Sequence, residues 1–145
     1  MYDSILVATD GSDGAAIAVE HAIELARRFD APLYAVSILE SRTEYDNAIV
    51  DPEKVDRKRR ERAEATLAEL ESAATDAGVS VETAIRTGVP HEELCAFAAD
   101  HDVGAIVIGS RGRSSFTGAL LGSTVDGVVR HANRPVLVVD DESAA

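Results

Sequence analysis

The chain has 145 residues, 46% of them hydrophobic, and 26 acidic residues against 14 basic ones give it a formal net charge of −12. That length fits one domain with a sizeable core, and no apolar run approaches the roughly 20 residues of a membrane span. So acidic a surface repels nucleic acid at long range and argues against general DNA or RNA binding.

The chain opens MYDSILVATD. It carries Asp3 and no basic stretch, so it does not read as a signal peptide, and the expected location is the cytoplasm. SILVAT (4–9) is a short apolar run, as in a strand buried on both faces. Ser12 then caps a helix in which Ala15, Ala18, Ala22, Leu25 and Phe29 recur at helical spacing, and Asp30-Ala31-Pro32 ends it. LYAVSIL (33–39) is a second strand, followed by a polar loop over 40–51. Asp51 supplies an N-cap and Pro52 the first position of a long charged helix. Ala63, Leu67, Leu70, Ala74 and Ala77 form its one apolar stripe, and Gly78 stops it.

VSVETAIR (79–86) is a third strand of weaker pattern. Gly88 and Pro90 open a third helix with Leu94, Phe97 and Ala98 inward. That helix carries Cys95, the only cysteine, which reads as a buried structural thiol; a single cysteine excludes an internal disulfide and a cysteine-rich metal site. GAIVIG (104–109) is a fourth strand, Ser123 to His131 a fourth helix and PVLVVD (135–140) a fifth strand. Residues 1–141 form one domain and 142–145 a frayed tail. Strand and helix alternate four times and a strand closes the chain, which predicts an α/β fold with a single doubly wound parallel sheet of five strands and four helices. Ligands of such sheets bind beyond the carboxyl ends of the strands, where strand order reverses.

Two loops fall at those ends, ATDGSDG after the first strand and GSRGRSSFTGALLGST (109–124) after the fourth. Glycine lets backbone approach a ligand closely, and a loop feeding a helix aims free N–H groups and the positive end of the helix dipole at one point. Ser123 adds a hydroxyl there, and Arg111 and Arg113 add charge. These are parts of a phosphate site. The same residues also fit a plain turn, with Ser123 and Asp126 as a capping box and the arginines in solvent. The stretch has neither the Gly-Lys-Ser/Thr of a Walker A loop nor a G-x-G-x-x-G fingerprint.

Gly109-x2-Gly112-x9-Gly122-Ser123 resembles the pattern of the ATP-binding branch of the universal stress protein family. The resemblance extends over nearly the whole chain, through SILVATDGS, TGVPHEELCAFAADHDVGAIVIGSRGRS and LLGSTVDGVVRHANRPVLVV. It implies a Rossmann-like sheet with strand order 3-2-1-4-5, as in the adenine nucleotide alpha hydrolase-like folds. It implies that Asp10, with Ala8 beside it, lies near the adenosine and holds a metal or a ribose hydroxyl. Ile38 lines the adenine pocket, and Ile108 and Gly109 close it and meet the ribose. Arg111 and Gly112 border the ribose and phosphates, which Gly122, Ser123 and Thr124 cradle. The implied cofactors are ATP with Mg²⁺ or Mn²⁺, the metal relieving the repulsion between Asp10 and a triphosphate. Asp10 also has a plainly structural reading, as part of the turn that Ser12 or Asp13 caps.

A response-regulator receiver needs an acidic pair after strand one and a lysine near strand five; here only Asp10 stands after strand one and no lysine follows Lys58. A flavodoxin needs a Ser/Thr-rich loop where this chain has Asp10 and Asp13. No residue stands out as a catalytic base, since His21 and His131 fall inside helices, His101 lies near a helix end, and His91 reads as a surface residue. The expected activity is therefore nucleotide binding in a regulatory or protective stress role, with at most weak ATPase turnover. The alternative is a dimeric interaction module whose nucleotide site is vestigial. Under either, the resemblance implies a homodimer paired through the last strand, Val136 to Val139. The surplus of Asp and Glu, with Lys54 and Lys58 the only lysines, adds a halophilic reading, as in an archaeon whose salt-rich cytoplasm shortens the Debye length to about 3 Å at 1 M.

Overall fold

A computed structural model describes residues 1–40, 52–110 and 122–140. Five strands, β1 (Ile5–Ala8), β2 (Leu33–Glu40), β3 (Val81–Gly88), β4 (Ala105–Gly109) and β5 (Val136–Val139), form one sheet in the order β3-β2-β1-β4-β5. All four pairings are parallel. Between them run α1 (Asp13–Phe29), α2 (Pro52–Asp76), α3 (Pro90–His101) and α4 (Ser123–His131). The predicted fold class and strand order are both present.

The central strands are apolar throughout because both of their faces are covered. Ile5 and Val7 of β1 pack with Ala18, Ala22 and Ala26 of α1 and Leu67, Leu70 and Ala74 of α2. Leu6, on the opposite face, packs with Leu94, Phe97 and Ala98 of α3 and Val125 and Val128 of α4. The apolar stripes expected on α2 and α3 are thus the buried ones. On α1 the last position differs. Ala26 is buried, whereas Phe29 is 50% exposed and rests on Tyr2 with ring centroids 5.0 Å apart. The buried stripe of α1 thus ends at Ala26.

The helix ends follow the expected chemistry. The Ser12 hydroxyl accepts the Ala15 N–H at 3.2 Å, and Asp30 closes α1 in the left-handed conformation. Pro52 begins α2, while Asp51, its expected cap, lies outside the described residues. β3 is shifted from its expected span and runs on to Gly88. It is an edge strand, half-buried along most of its length, so its sequence alternates only weakly. Gly88 ends it at φ 149°, and a Cβ there would sit 2.9 Å from Glu93 Oε2. Val89 then precedes Pro90 at the start of α3.

Candidate functional site

Strand order reverses between β1, whose chain continues toward β2, and β4, which leads to β5. At the carboxyl ends of β1, β2 and β4 the elements part around a cleft of about 370 Å³, a size typical of small-ligand sites. Its lining includes Ala8, Asp10, Ile38, Ile108, Gly109, Gly122, Ser123 and Thr124. Every site residue expected from sequence that falls within the described residues therefore meets in one cavity. Arg111 and Gly112 lie outside the described residues, as does Arg113.

Three local structures shape the cleft. After β1, the Asp10 carboxylate accepts the Ser12 N–H at 2.9 Å, and the Thr9 hydroxyl accepts the Gly11 N–H at 3.3 Å. The turn role considered for Asp10 is real, yet the residue still faces the cleft. At the end of β4, Gly109 lies so close to α1 that a Cβ would stand 3.0 Å from the Gly14 carbonyl oxygen. This glycine has a packing reason of its own. At the start of α4, Gly122 is the N-cap, and among the described residues no side chain caps the helix. The expected capping box does not form. Ser123 is already the first helical residue, and Asp126 instead accepts from Arg130 Nε at 3.0 Å. The first turn of α4 thus presents backbone N–H groups and the Ser123 and Thr124 side chains to the cleft, the arrangement that attracts an anion.

The far wall was not visible in the sequence. Arg59, Arg62, Ala63 and Thr66 of α2 line the cleft on the β2 side. Arg59 Nη2 donates to the Glu40 carbonyl at 2.9 Å, which ties α2 to the end of β2. No histidine or lysine is among the described residues lining the cleft. His91 turns away, its ring stacked on that of His131 at 5.9 Å and set over Gly127, where a Cβ would meet it. His101 stacks on Phe97 at 4.0 Å. Cys95, expected to be buried, is only partly buried against the α3–α4 core, and that burial raises its thiol pKa above the ordinary value. Among the described residues no three His, Cys, Asp or Glu side chains gather as a metal site. Among the described residues no helix is long and apolar enough to cross a membrane.

A family model for universal stress proteins matches residues 1–140. The chain belongs to the universal stress protein family. The universal stress protein MJ0577 of Methanocaldococcus jannaschii is 31% identical over 160 residues, covering 96% of this chain and 95% of its own. The solved structure of MJ0577 superposes with a TM-score of 0.83 over 98% of each chain. A universal stress protein in complex with cAMP has a TM-score of 0.74 at 28% identity, covering 95% of this chain and 97% of its own. The universal stress protein from Archaeoglobus fulgidus in complex with dAMP has a TM-score of 0.70 at 28% identity, covering 95% of this chain and 98% of its own. Relatives of this universal stress protein therefore bind adenine nucleotides, and the five-stranded sheet is theirs too.

Proposed function

We propose that this universal stress protein binds an adenine nucleotide, ATP with Mg²⁺ or Mn²⁺, in the cleft at the ends of β1, β2 and β4. The observation that carries this is that the first turn of α4, behind the N-cap Gly122, lines the same cavity as Ile38 and Asp10. Phosphates lie against Gly122, Ser123 and Thr124, with Arg111 and Gly112 on the loop that leads there. The base lies toward Ile38, and the ribose toward Ala8, Asp10, Ile108 and Gly109. One carboxylate together with phosphate oxygens is the donor set Mg²⁺ takes in nucleotide sites, and Asp10 supplies that carboxylate. The role is that of a cytoplasmic stress regulator or protectant that holds nucleotide, because the described cleft offers no histidine or lysine to speed phosphoryl transfer. Calorimetric titration with ATP, with and without Mg²⁺, tests it. Saturable, metal-enhanced binding is expected, and no heat at millimolar ATP would refute it.

A second reading, a dimeric interaction module, is favoured by one observation. Leu137 on the edge strand β5 is 41% exposed, and exposed apolar edges are sites of pairing. The two readings are compatible if nucleotide and partner copy act together, with Val136 to Val139 as the dimer edge.

A further inference from the structure

His91, near the start of α3, meets His131, at the end of α4, where the two helices pack together. Their ring centroids are 5.9 Å apart and their planes 27° from parallel. A glycine makes this approach possible. Gly127 is buried within α4, and a Cβ there would overlap the His91 ring. Glycine is unfavourable inside a helix, so α4 gives up local stability at the point where His91 needs the space. Among the described residues neither imidazole has a hydrogen-bond partner, unlike His101, whose Nδ1 lies 3.0 Å from the Phe97 carbonyl oxygen. The ring nitrogens of the pair are therefore available to a ligand. His131 is exposed, so its ring can turn without disturbing the core.

We propose that His91 and His131 form a binding site for one transition-metal ion of the zinc class, which ties α3 to α4. Neutral imidazole suits Zn²⁺, Cu²⁺ and Ni²⁺, whereas Mg²⁺ and Ca²⁺ prefer oxygen. A ring nitrogen holds Zn²⁺ at about 2.0–2.1 Å, which puts the ion about 3 Å from the ring centre. Two rings sharing one ion then have centres about 5 Å apart in a tetrahedral arrangement and about 6 Å apart when opposed. The observed 5.9 Å lies within that span. Water fills the remaining positions, as it does in open zinc sites. The net charge of −12 draws cations toward the surface, and Arg130, next to His131 in the chain, is paired with Asp126. The site is separate from the nucleotide cleft, none of whose described lining residues is a histidine, and the inference does not depend on nucleotide binding.

The test is calorimetric titration of Zn²⁺ into the full chain with no nucleotide present. One ion per chain is expected, with no comparable heat from Mg²⁺. The thermal melt should shift upward with Zn²⁺, since an ion bound only to the folded state stabilises it. His131→Ala removes an exposed ring and should fold. It should weaken Zn²⁺ binding by about tenfold or more, at least the loss that follows removal of a group merely supporting a ligand, and erase the thermal shift. His91→Ala should do the same. Gly127→Ala keeps both imidazoles but crowds His91, and should weaken the ion as well. Zinc affinity unchanged in His131→Ala would place the ion on surface carboxylates and overturn the inference. So would one ion per two chains, which would mean bridging between copies, or a wild type that melts cooperatively and binds no Zn²⁺.

Discussion

The backbone carbonyl of Ser110 accepts the N–H of Gly122 at 3.0 Å. One hydrogen bond thus joins the residue after β4 to the residue before α4, and it fixes where the first turn of α4 begins. The Ser110 N–H also donates to Val139 at 2.8 Å, and its buried hydroxyl donates to Asp140 at 2.8 Å. The start of α4 and the end of the edge strand therefore share one residue.

Because the bond to Gly122 uses backbone alone, Ser110→Ala separates the two. The variant loses only the hydroxyl bond to Asp140, which is exposed and stays solvated. A stability loss of about 1 kcal/mol is expected in chemical denaturation. ATP affinity should stay within about twofold of wild type, since the hydroxyl points to Asp140 and the backbone bond to Gly122 is kept. A tenfold loss of affinity would show that the side chain, and not the backbone, sets the cradle.

Gly122 has φ −65° and ψ 158°, which any residue adopts. Its lack of a side chain is thus not a backbone requirement, and the account assigns it to ligand approach. Gly122→Val should therefore fold, at a cost of about 1 kcal/mol for the poorer N-cap. Nucleotide binding should disappear from calorimetry while the thermal melt remains cooperative. Retained binding would place the phosphates elsewhere.

Asp10 serves both a turn and the cleft, so Asp10→Ala would confound the two. Asp10→Asn keeps an oxygen for the Ser12 N–H, now accepted at 2.9 Å, and removes the charge. The melting temperature should hold, and the enhancement of ATP binding by Mg²⁺ should shrink. An unchanged Mg²⁺ dependence would return Asp10 to the turn alone.

Much of this was legible because local chemistry and tertiary packing agree. SILVAT and GAIVIG are apolar on both faces because both faces are covered; Ser12 starts α1 through its side chain, and Asp30 and Gly78 close α1 and α2 in the left-handed backbone conformation. The disagreements lie where the environment changes along an element. Phe29 has helical spacing but packs at the surface on Tyr2, and β3 has one neighbour only. Ser123 and Asp126 have the spacing of a capping box but begin one residue too late, since the bond from Gly122 to Ser110 sets the helix start. Arg59 and Arg62 could not be placed from sequence, because α2 reaches the cleft only through its packing on β2. The signal that could have found them is helical phase, for 59, 62, 63 and 66 continue the stripe of Ala63, Leu67 and Leu70.

Arg134 carries a stability prediction independent of the ligand. Its Nη1 donates to the carbonyls of Ala98 and Val103 at 3.0 and 2.9 Å, and its Nε to that of Ala132 at 3.1 Å. It therefore satisfies backbone acceptors at the end of α3, while its ion pair with Asp102 at 3.7 Å involves a fully wet carboxylate. Arg134→Ala should cost about 2–3 kcal/mol in urea denaturation. Asp102→Asn, which tolerates the left-handed φ of 47°, should cost less than about 0.5 kcal/mol. Equal losses would mean that the ion pair, not the carbonyl contacts, matters.

The edge strand gives a test of assembly. If Val136 to Val139 pair with a second copy, Leu137→Arg places a charge in that pairing and should convert a dimer to a monomer in sedimentation equilibrium, with the monomer still folded. A wild type that sediments as a monomer, or a variant that remains dimeric, would move the partner surface away from β5.

An adenine nucleotide held in the cleft between α4 and α2 would be carried through purification or taken up on titration. The most direct measurement denatures the protein, purified in high salt, and identifies the released small molecules by mass spectrometry, followed by titration of the emptied protein with ATP and Mg²⁺. A released adenine nucleotide, or saturable ATP binding that Gly122→Val abolishes, is expected. Absence of nucleotide, together with no heat at millimolar ATP across several salt concentrations, would contradict it and leave the β5 edge as the functional surface.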